Sequence, residues 1–202
     1  MALATLELLP TSIWLLGADG NVLHTNPAAR RLMQQGNVIV EGIGSRPYAC
    51  VKSENKRLQA LIESALRSGL QLEAKKPCAQ MLWEPNGSSS LHILVTPITS
   101  EMNGFAPASA VVFATAPHCL PLNLECNLRS LYELTPAEAR LASALVAGES
   151  MLAFAQRTAI SETTARTHMK HILAKTNTRR QSDLLRIIMT GPAMLDRKIC
   201  TQ

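Results

Sequence analysis

Thr163, Arg166, Thr167, Lys170 and His171 lie three or four residues apart between Ile160 and Arg180, so a helix over that stretch lines them along one side. Each side chain offers a hydrogen-bond donor, and two are permanently cationic. Such a set suits a surface rich in acceptors and negative charge. A nucleic-acid major groove is wide enough for one helix, and Arg or Lys can reach guanine O6 and N7 there. These five are therefore the candidate base readers. Thr164, His168, Lys175, Arg179 and Arg180 lie beside or beyond them and are the candidate phosphate contacts.

The same stretch carries a second pattern. Ala165, Met169, Ile172 and Thr176 recur at i, i+4, i+7 and i+11 and should face a small core, with His168 at its edge. The elements around it read as helices throughout. Thr135-Pro136 with Glu138 has the form of a capping box, opening a helix that runs to Gly148. Ser150 caps a second helix, Met151 to Thr158, and Ala159-Ile160-Ser161 is a tight connection to the third, capped by Ser161. Asn177 suits a left-handed helix stop, and a fourth helix follows over about Gln181 to Met189.

The charge is divided unevenly. Residues 1–127 hold nine Lys/Arg and nine Asp/Glu, whereas residues 128–202 hold eleven and six, so the net +5 sits in the last 75 residues. A basic surplus confined to one segment points to a polyanion met by that segment, nucleic acid ahead of a membrane surface.

Upstream the periods differ. Ile13 to Leu16 and Val22 to Thr25 are β-rich runs around the turn Ala18-Asp19-Gly20-Asn21, a hairpin. Asn26-Pro27 starts a helix that ends at Gly36, and Lys56 to Arg67 repeats apolar residues at helical spacing. Three apolar runs follow, "AQMLWE", "SSLHILVTPI" and "SAVVFAT", the last two with β-branched residues, separated by Pro85-Asn86-Gly87 and by a loop near Asn103 to Pro107. The order β-β, helices, β-β-β predicts one antiparallel sheet with helices on one face, an α+β domain. The expected boundaries are 1–117 for this domain, 118–133 for a partly helical linker, 134–192 for the all-helical domain and 193–202 for a tail.

Leu134 to Ile188 resembles the four-helix DNA-binding domain of LuxR-type (GerE-type) bacterial transcription regulators. The resemblance is carried by Leu134-Thr135-Pro136 with Glu138, Ala147-Gly148, Ala155, Ile160-Ser161, Thr164, His168, Ile172, Lys175 and Thr178-Arg179-Arg180-Gln181. Ala153 stands where the family usually has Glu, and Ala165 where it usually has Val. Both departures shrink or depolarise packing contacts and leave the readers in place. The resemblance implies a helix-turn-helix with Arg166, Thr167 and Lys170 in the major groove. It also implies a last helix, here Asp183 to Met189, that supports dimerisation, with Leu184, Leu185 and Ile188 as its apolar contacts. The stretch "LPTSIWLLGADGNVLHTNPAARRLM" and the three later strands resemble a PAS-like sensor domain, which implies sensing or dimerising without specifying a ligand. The implied partners are double-stranded DNA, a second copy of the chain, RNA polymerase and a small molecule on the first domain.

Other chemistries find less support. Asp19 is the only Asp before Asp183, against an aspartyl phosphorelay. An acyl-homoserine-lactone pocket would need a longer domain rich in Trp, Tyr and Asp. His24 and His92 could ligate haem, but nothing singles them out, and no motif around Cys50 or Cys78 suits flavin attachment. His168 and His171 at i, i+3 lack further ligands nearby for a metal site. Cys50, Cys78, Cys119, Cys126 and Cys200 are scattered and never form C-x-x-C, so buried reduced thiols are expected. His118-Cys119 reads as a connector. No phosphate cradle, nucleophile elbow or convincing carboxylate pair is present, so no enzyme and no cofactor are expected. No apolar run reaches the ~18 residues of a membrane helix and no secretory signal opens the chain, so a cytosolic place is expected, away from membranes. Two rival readings are a sigma-factor-like initiation subunit, which would need an aromatic basic helix upstream, and a protein-interaction module that never touches DNA.

Overall fold

The computed structural model describes residues 2–36, 38–42, 45–68, 78–83, 90–98, 107–116 and 120–196. Backbone contacts divide the chain into two units, Met1–Cys119 and Leu120–Gln202.

The first unit is built on a five-stranded antiparallel sheet. Its elements are α1 (Ala2–Leu6), β1 (Ser12–Leu16), β2 (Val22–Thr25), α2 (Pro27–Gln35), β3 (Ile39–Glu41), β4 (Pro47–Ala49), α3 (Lys52–Ser68), β5 (Cys78–Trp83), β6 (Ser90–Pro97) and β7 (Ala110–Thr115). The strand order is β2-β1-β7-β6-β5, with β3 and β4 forming a separate ribbon. This is the antiparallel sheet with packed helices that the alternation of strand and helix signals predicts. The β1–β2 turn closes through Gly20 N–H to the Gly17 carbonyl, with Gly20 at φ 80°. Turns Pro85-Asn86-Gly87 and most of Asn103 to Pro107 lie outside the described residues, as does His118-Cys119.

β1 is buried on both faces. Trp14 and Leu16 point to the main core with Leu58 and Ile62 of α3, Leu91 and Val95 of β6, and Ala29 and Leu32 of α2. Ile13 and Leu15 point the other way, onto Leu6 and Leu9. The expected single covered face is therefore corrected: the segment from α1 covers the opposite face at β1 and β7. The run Ser-Ile-Trp-Leu-Leu carries the signal, since a strand buried on both sides loses its polar alternation. Asn26 locks that segment down. Its Oδ1 accepts from Ala29 N–H and Ile13 N–H, each at 3.0 Å, and its Nδ2 donates to the carbonyls of Leu6, Leu9 and Thr11. On the uncovered part of that face, Met81, Trp83 and Leu94 are exposed.

The second unit is helical: α4 (Leu124–Tyr132), α5 (Pro136–Val146), α6 (Met151–Arg157), α7 (Glu162–Lys175), α8 (Gln181–Thr190) and a 3-10 turn at Pro192–Met194. The expected linker helix is here part of the packed body. Leu124 and Leu128 of α4 are buried beside Leu141, Leu145 and Ile188. Asn127 Nδ2 donates to the carbonyls of Ala193 and Leu195, both at 2.9 Å, so the last described residues belong to the same body and are not a free tail.

Three helices of this unit stop in the same way. Gly148, Ala159 and Asn177 all take left-handed φ, at 86°, 55° and 51°. In each case the next residue's N–H returns to a carbonyl five positions back: Glu149 to Ala144, Ile160 to Ala155, Thr178 to Leu173. These are Schellman stops, which satisfy carbonyls a helix end would otherwise leave bare. Among the described residues no helix is long and apolar enough to cross a membrane. Cys50 and Cys126 are exposed, which corrects the expected burial of their thiols.

Candidate nucleic-acid interface

α6 and α7 are joined by the four residues Thr158 to Ser161. The turn is held from both ends. Thr158 Oγ1 donates to the Phe154 carbonyl at 2.7 Å, and Ser161 Oγ accepts from Thr164 N–H at 3.0 Å as the cap of α7. Such a cap is worth about 1 kcal/mol. Ala165, Met169 and Ile172 hold α7 against the core, and Thr176 is buried with its hydroxyl donating to the Ile172 carbonyl at 2.8 Å.

The opposite side of α7 faces outward. Thr163, Arg166, Thr167, Lys170 and His171 are all exposed. Arg166 Nη2 contacts Glu162 Oε1 at 2.7 Å, an i,i+4 pair that aims the guanidinium along the helix toward its amino end. Thr167 Oγ1 donates to the Thr163 carbonyl at 3.0 Å, which leaves its oxygen lone pairs turned outward as acceptors. Among the described residues the side chains of Lys170, Arg179 and Arg180 make no hydrogen bond or ion pair, and all three are exposed. Their charges are uncompensated locally, the condition in which an approaching phosphate releases counterions without first breaking a protein contact.

Three of the expected site assignments change. Lys175 does not stand free for a phosphate: its Nζ donates to Glu138 Oε2 at 2.8 Å and to the Glu133 carbonyl at 2.9 Å. Leu184 and Ile188, expected as dimer contacts, have no exposed surface and form part of the helical core, while Leu185 is half-buried against it. A side chain consumed by its own core cannot also meet a partner. Met189 is the exposed apolar residue of α8. Thr164 keeps its exposure, but its hydroxyl sits 2.8 Å from Ser161 Oγ and is engaged in the cap. His168 is half-buried, in keeping with a place at the core edge.

Glu138 sits behind this surface. Burial pushes its carboxyl up, but hydrogen bonds from Lys175 and from Thr135 N–H outweigh that and hold it below the usual carboxylate value. Thr135 N–H donates to it at 2.8 Å and Thr135 Oγ1 accepts from Glu138 N–H at 3.3 Å, closing the capping box. His171 Nδ1 lies 3.6 Å from its other oxygen. One carboxylate thus ties the start of α5 to the last turn of α7. The capping motif was visible in sequence; its partnership with Lys175, 37 residues on, had no local signal. At the other end of α6, Arg157 grips Glu149 through Nε at 3.0 Å and Nη2 at 2.7 Å, and its guanidinium lies 5.4 Å from the Phe154 ring centre. That hydrogen bonding lowers the Glu149 carboxyl and raises Arg157. Neither residue stands out in the sequence, where a spacing of eight carries no helix-pair signal.

No family model matches the chain. No curated protein matches it either. Solved structures with some likeness include the phage VqmA–DPO complex, at 16% identity with 100% of this chain and 91% of the other covered and a TM-score of 0.39. The Vibrio cholera VqmA–ligand–DNA complex gives 14% identity, coverage of 98% and 91%, and a TM-score of 0.39. The Rhodobacter sphaeroides LOV protein gives 12%, coverage of 92% and 94%, and 0.37. Scores this low do not mark a shared fold.

Proposed function

We propose that this chain is a cytosolic, dimeric regulator of transcription whose second unit reads double-stranded DNA through a LuxR-type helix-turn-helix, α6 and α7, and whose first unit is a PAS-like sensor. Its role is binding, with no catalysis. The observation that carries this reading is the outer side of α7: five exposed polar side chains on a helix fixed by a capped four-residue turn, with the charge of Lys170 among them and those of Arg179 and Arg180 beyond the helix end uncompensated. A solvated face would carry charges of both signs. Here the one acidic residue on the exposed side of α7, Glu162, lies in the first turn, where it also suits the helix dipole.

In this reading Arg166 and Lys170 contact base edges, Thr163, Thr167 and His171 flank them, and Arg179 and Arg180 hold phosphates. Lys175 is an internal support. Two such helices read a two-fold symmetric site when they lie about 34 Å apart, so dimer geometry sets half-site spacing. The test is selection of bound duplexes from a random pool, sequenced at two salt concentrations. A symmetric motif with fixed spacing supports the reading. Retention without a motif, fading with salt, refutes sequence reading and leaves electrostatic adhesion.

A further inference from the structure

A cleft of about 230 Å³ opens in the first unit where β2, α2 and the β3–β4 connection meet. Arg30 and Arg46 reach its wall, with Thr25 and Ser45 contributing hydroxyls and Val22 and Met33 an apolar side. It adjoins the main core through Val22 and Met33, while the core itself is filled by Trp14, Leu58, Leu91 and their neighbours.

The two arginines are not equivalent. Arg30 is neutralised: its Nη2 lies 3.2 Å from Glu7 Oε2, and Nη1 donates to the Thr25 carbonyl. Arg46 meets only neutral acceptors, the Asp19 carbonyl through Nη2 and Asn21 Oδ1 through Nε at 3.3 Å. Among the described residues it has no carboxylate partner, and its remaining N–H groups have no acceptor. These bonds to the β1–β2 turn nonetheless fix the guanidinium in place. Gly20 makes room for it, since a Cβ there would come within 3.3 Å of the Arg46 guanidinium carbon. A cation held still before binding loses little entropy on binding, the condition for affinity from a single charge contact.

We propose that this cleft binds a small organic monoanion, a carboxylate whose charged end meets Arg46 and whose apolar end lies on Val22 and Met33. One cation without a direct carboxylate contact, Asp19 standing across the Asn21 amide, matches at most one negative charge, which disfavours a phosphate dianion. The volume lies below the ~300–1,000 Å³ of sites for drug-sized molecules, so the ligand is small. As the signal of the regulator, this inference rests on the sensing role given to the first unit; the binding itself does not. Met33 passes the event inward, because Trp14 Nε1 donates to its Sδ at 3.5 Å.

Calorimetric titration of the full chain with hexanoate, benzoate, benzamide and inorganic phosphate tests the site without DNA, so its failure and a failure of DNA reading are separate results. The expected result is binding of at least one carboxylate, with benzamide and phosphate at least tenfold weaker. Arg46→Gln should weaken the carboxylate at least tenfold. Because Arg46 also braces a turn, Val22→Phe, which narrows the cleft without touching either arginine, should do the same while the melting transition stays cooperative. The proposal is overturned if neither carboxylate binds up to about 10 mM, if benzamide or phosphate binds as well as they do, or if both variants retain full affinity.

Discussion

The Lys175 ammonium lies 2.8 Å from the carboxylate of Glu138, a side chain with only 4% of its surface exposed, although the two residues stand 37 positions apart. The pair sits behind the outward side of α7 and joins that helix to the start of α5. It is an electrostatic constraint on how α7 is presented.

Removing the ammonium should therefore cost stability and impose a pH signature. Lys175→Met leaves a buried carboxylate with the Thr135 N–H and the more distant His171 imidazole, a loss on the order of 2–3 kcal/mol, below the ~3–5 of fully buried pairs because Lys175 is partly exposed. In the native chain the Glu138 carboxyl is lowered, so its contribution is fully present above the unfolded value of 4.5 and is lost as pH falls through the lower folded value. In Lys175→Met burial still raises the carboxyl while only the Thr135 hydrogen bonds lower it, so the loss of stability between pH 7 and pH 3 should be smaller than in the native chain. Adding Glu138→Gln should recover much of the loss at neutral pH. Urea titrations across pH 3 to 7 check all three outcomes.

Base reading and phosphate holding separate by salt and sequence. Arg166→Ala or Lys170→Ala should cost about 1–3 kcal/mol on the selected site and relax preference at one position. Arg179→Ala should weaken selected and random duplexes alike and reduce the salt slope by about one unit. Lys175→Ala should leave that slope unchanged at temperatures where the protein is folded. Equal losses on both duplexes for Arg166→Ala would remove it from the readers.

Ala159 occupies a left-handed position that its two counterparts fill with Gly148 and Asn177. An L-residue with a Cβ costs about 1–2 kcal/mol there, partly offset by the unfolded-state entropy glycine adds. Ala159→Gly should raise stability by about 0.5–1 kcal/mol in chemical denaturation. DNA affinity should stay within a factor of two if the turn already holds its functional form.

Gly191 ends α8 at φ −95°, an ordinary conformation, so its requirement is steric. A Cβ would fall 2.4 Å from the Ile187 carbonyl oxygen. Gly191→Ala should destabilise the second unit by about 1–3 kcal/mol. Hydrogen exchange should show the loss first at Ala193 and Leu195.

Local chemistry was legible in the sequence, and distant pairing was not. The caps at Asn26, Thr135, Ser150 and Ser161 and the stop at Asn177 announce themselves because each depends on residues within a few positions. The outward side of α7 follows from its period alone. The β3–β4 ribbon escaped because three-residue strands carry no periodicity, and α1 because five residues are too few for a helical pattern. Leu184 and Ile188 read alike as partner or core contacts in the sequence, because a helix with apolar residues at that spacing looks the same whether its stripe meets a partner or its own core. Lys175 was misassigned because a cation near a helix end gives no sign of a carboxylate folded beneath it. The Arg46 cleft is formed within residues 22–47, but its residues carry no shared motif, and only the folding of β2, α2 and Ser45 to Pro47 against one another brings them to one wall.

Because α4 contributes Leu124 and Leu128 to the core and Asn127 fastens the final turn, the smallest piece able to fold alone starts near Leu120 and ends beyond Leu195. A fragment cut at Leu134, where the sequence resemblance begins, would expose an apolar groove along α5 and release the end of the chain. It would aggregate or bind DNA poorly for reasons unrelated to its reading residues, and a negative result from it would be mistaken for evidence against them.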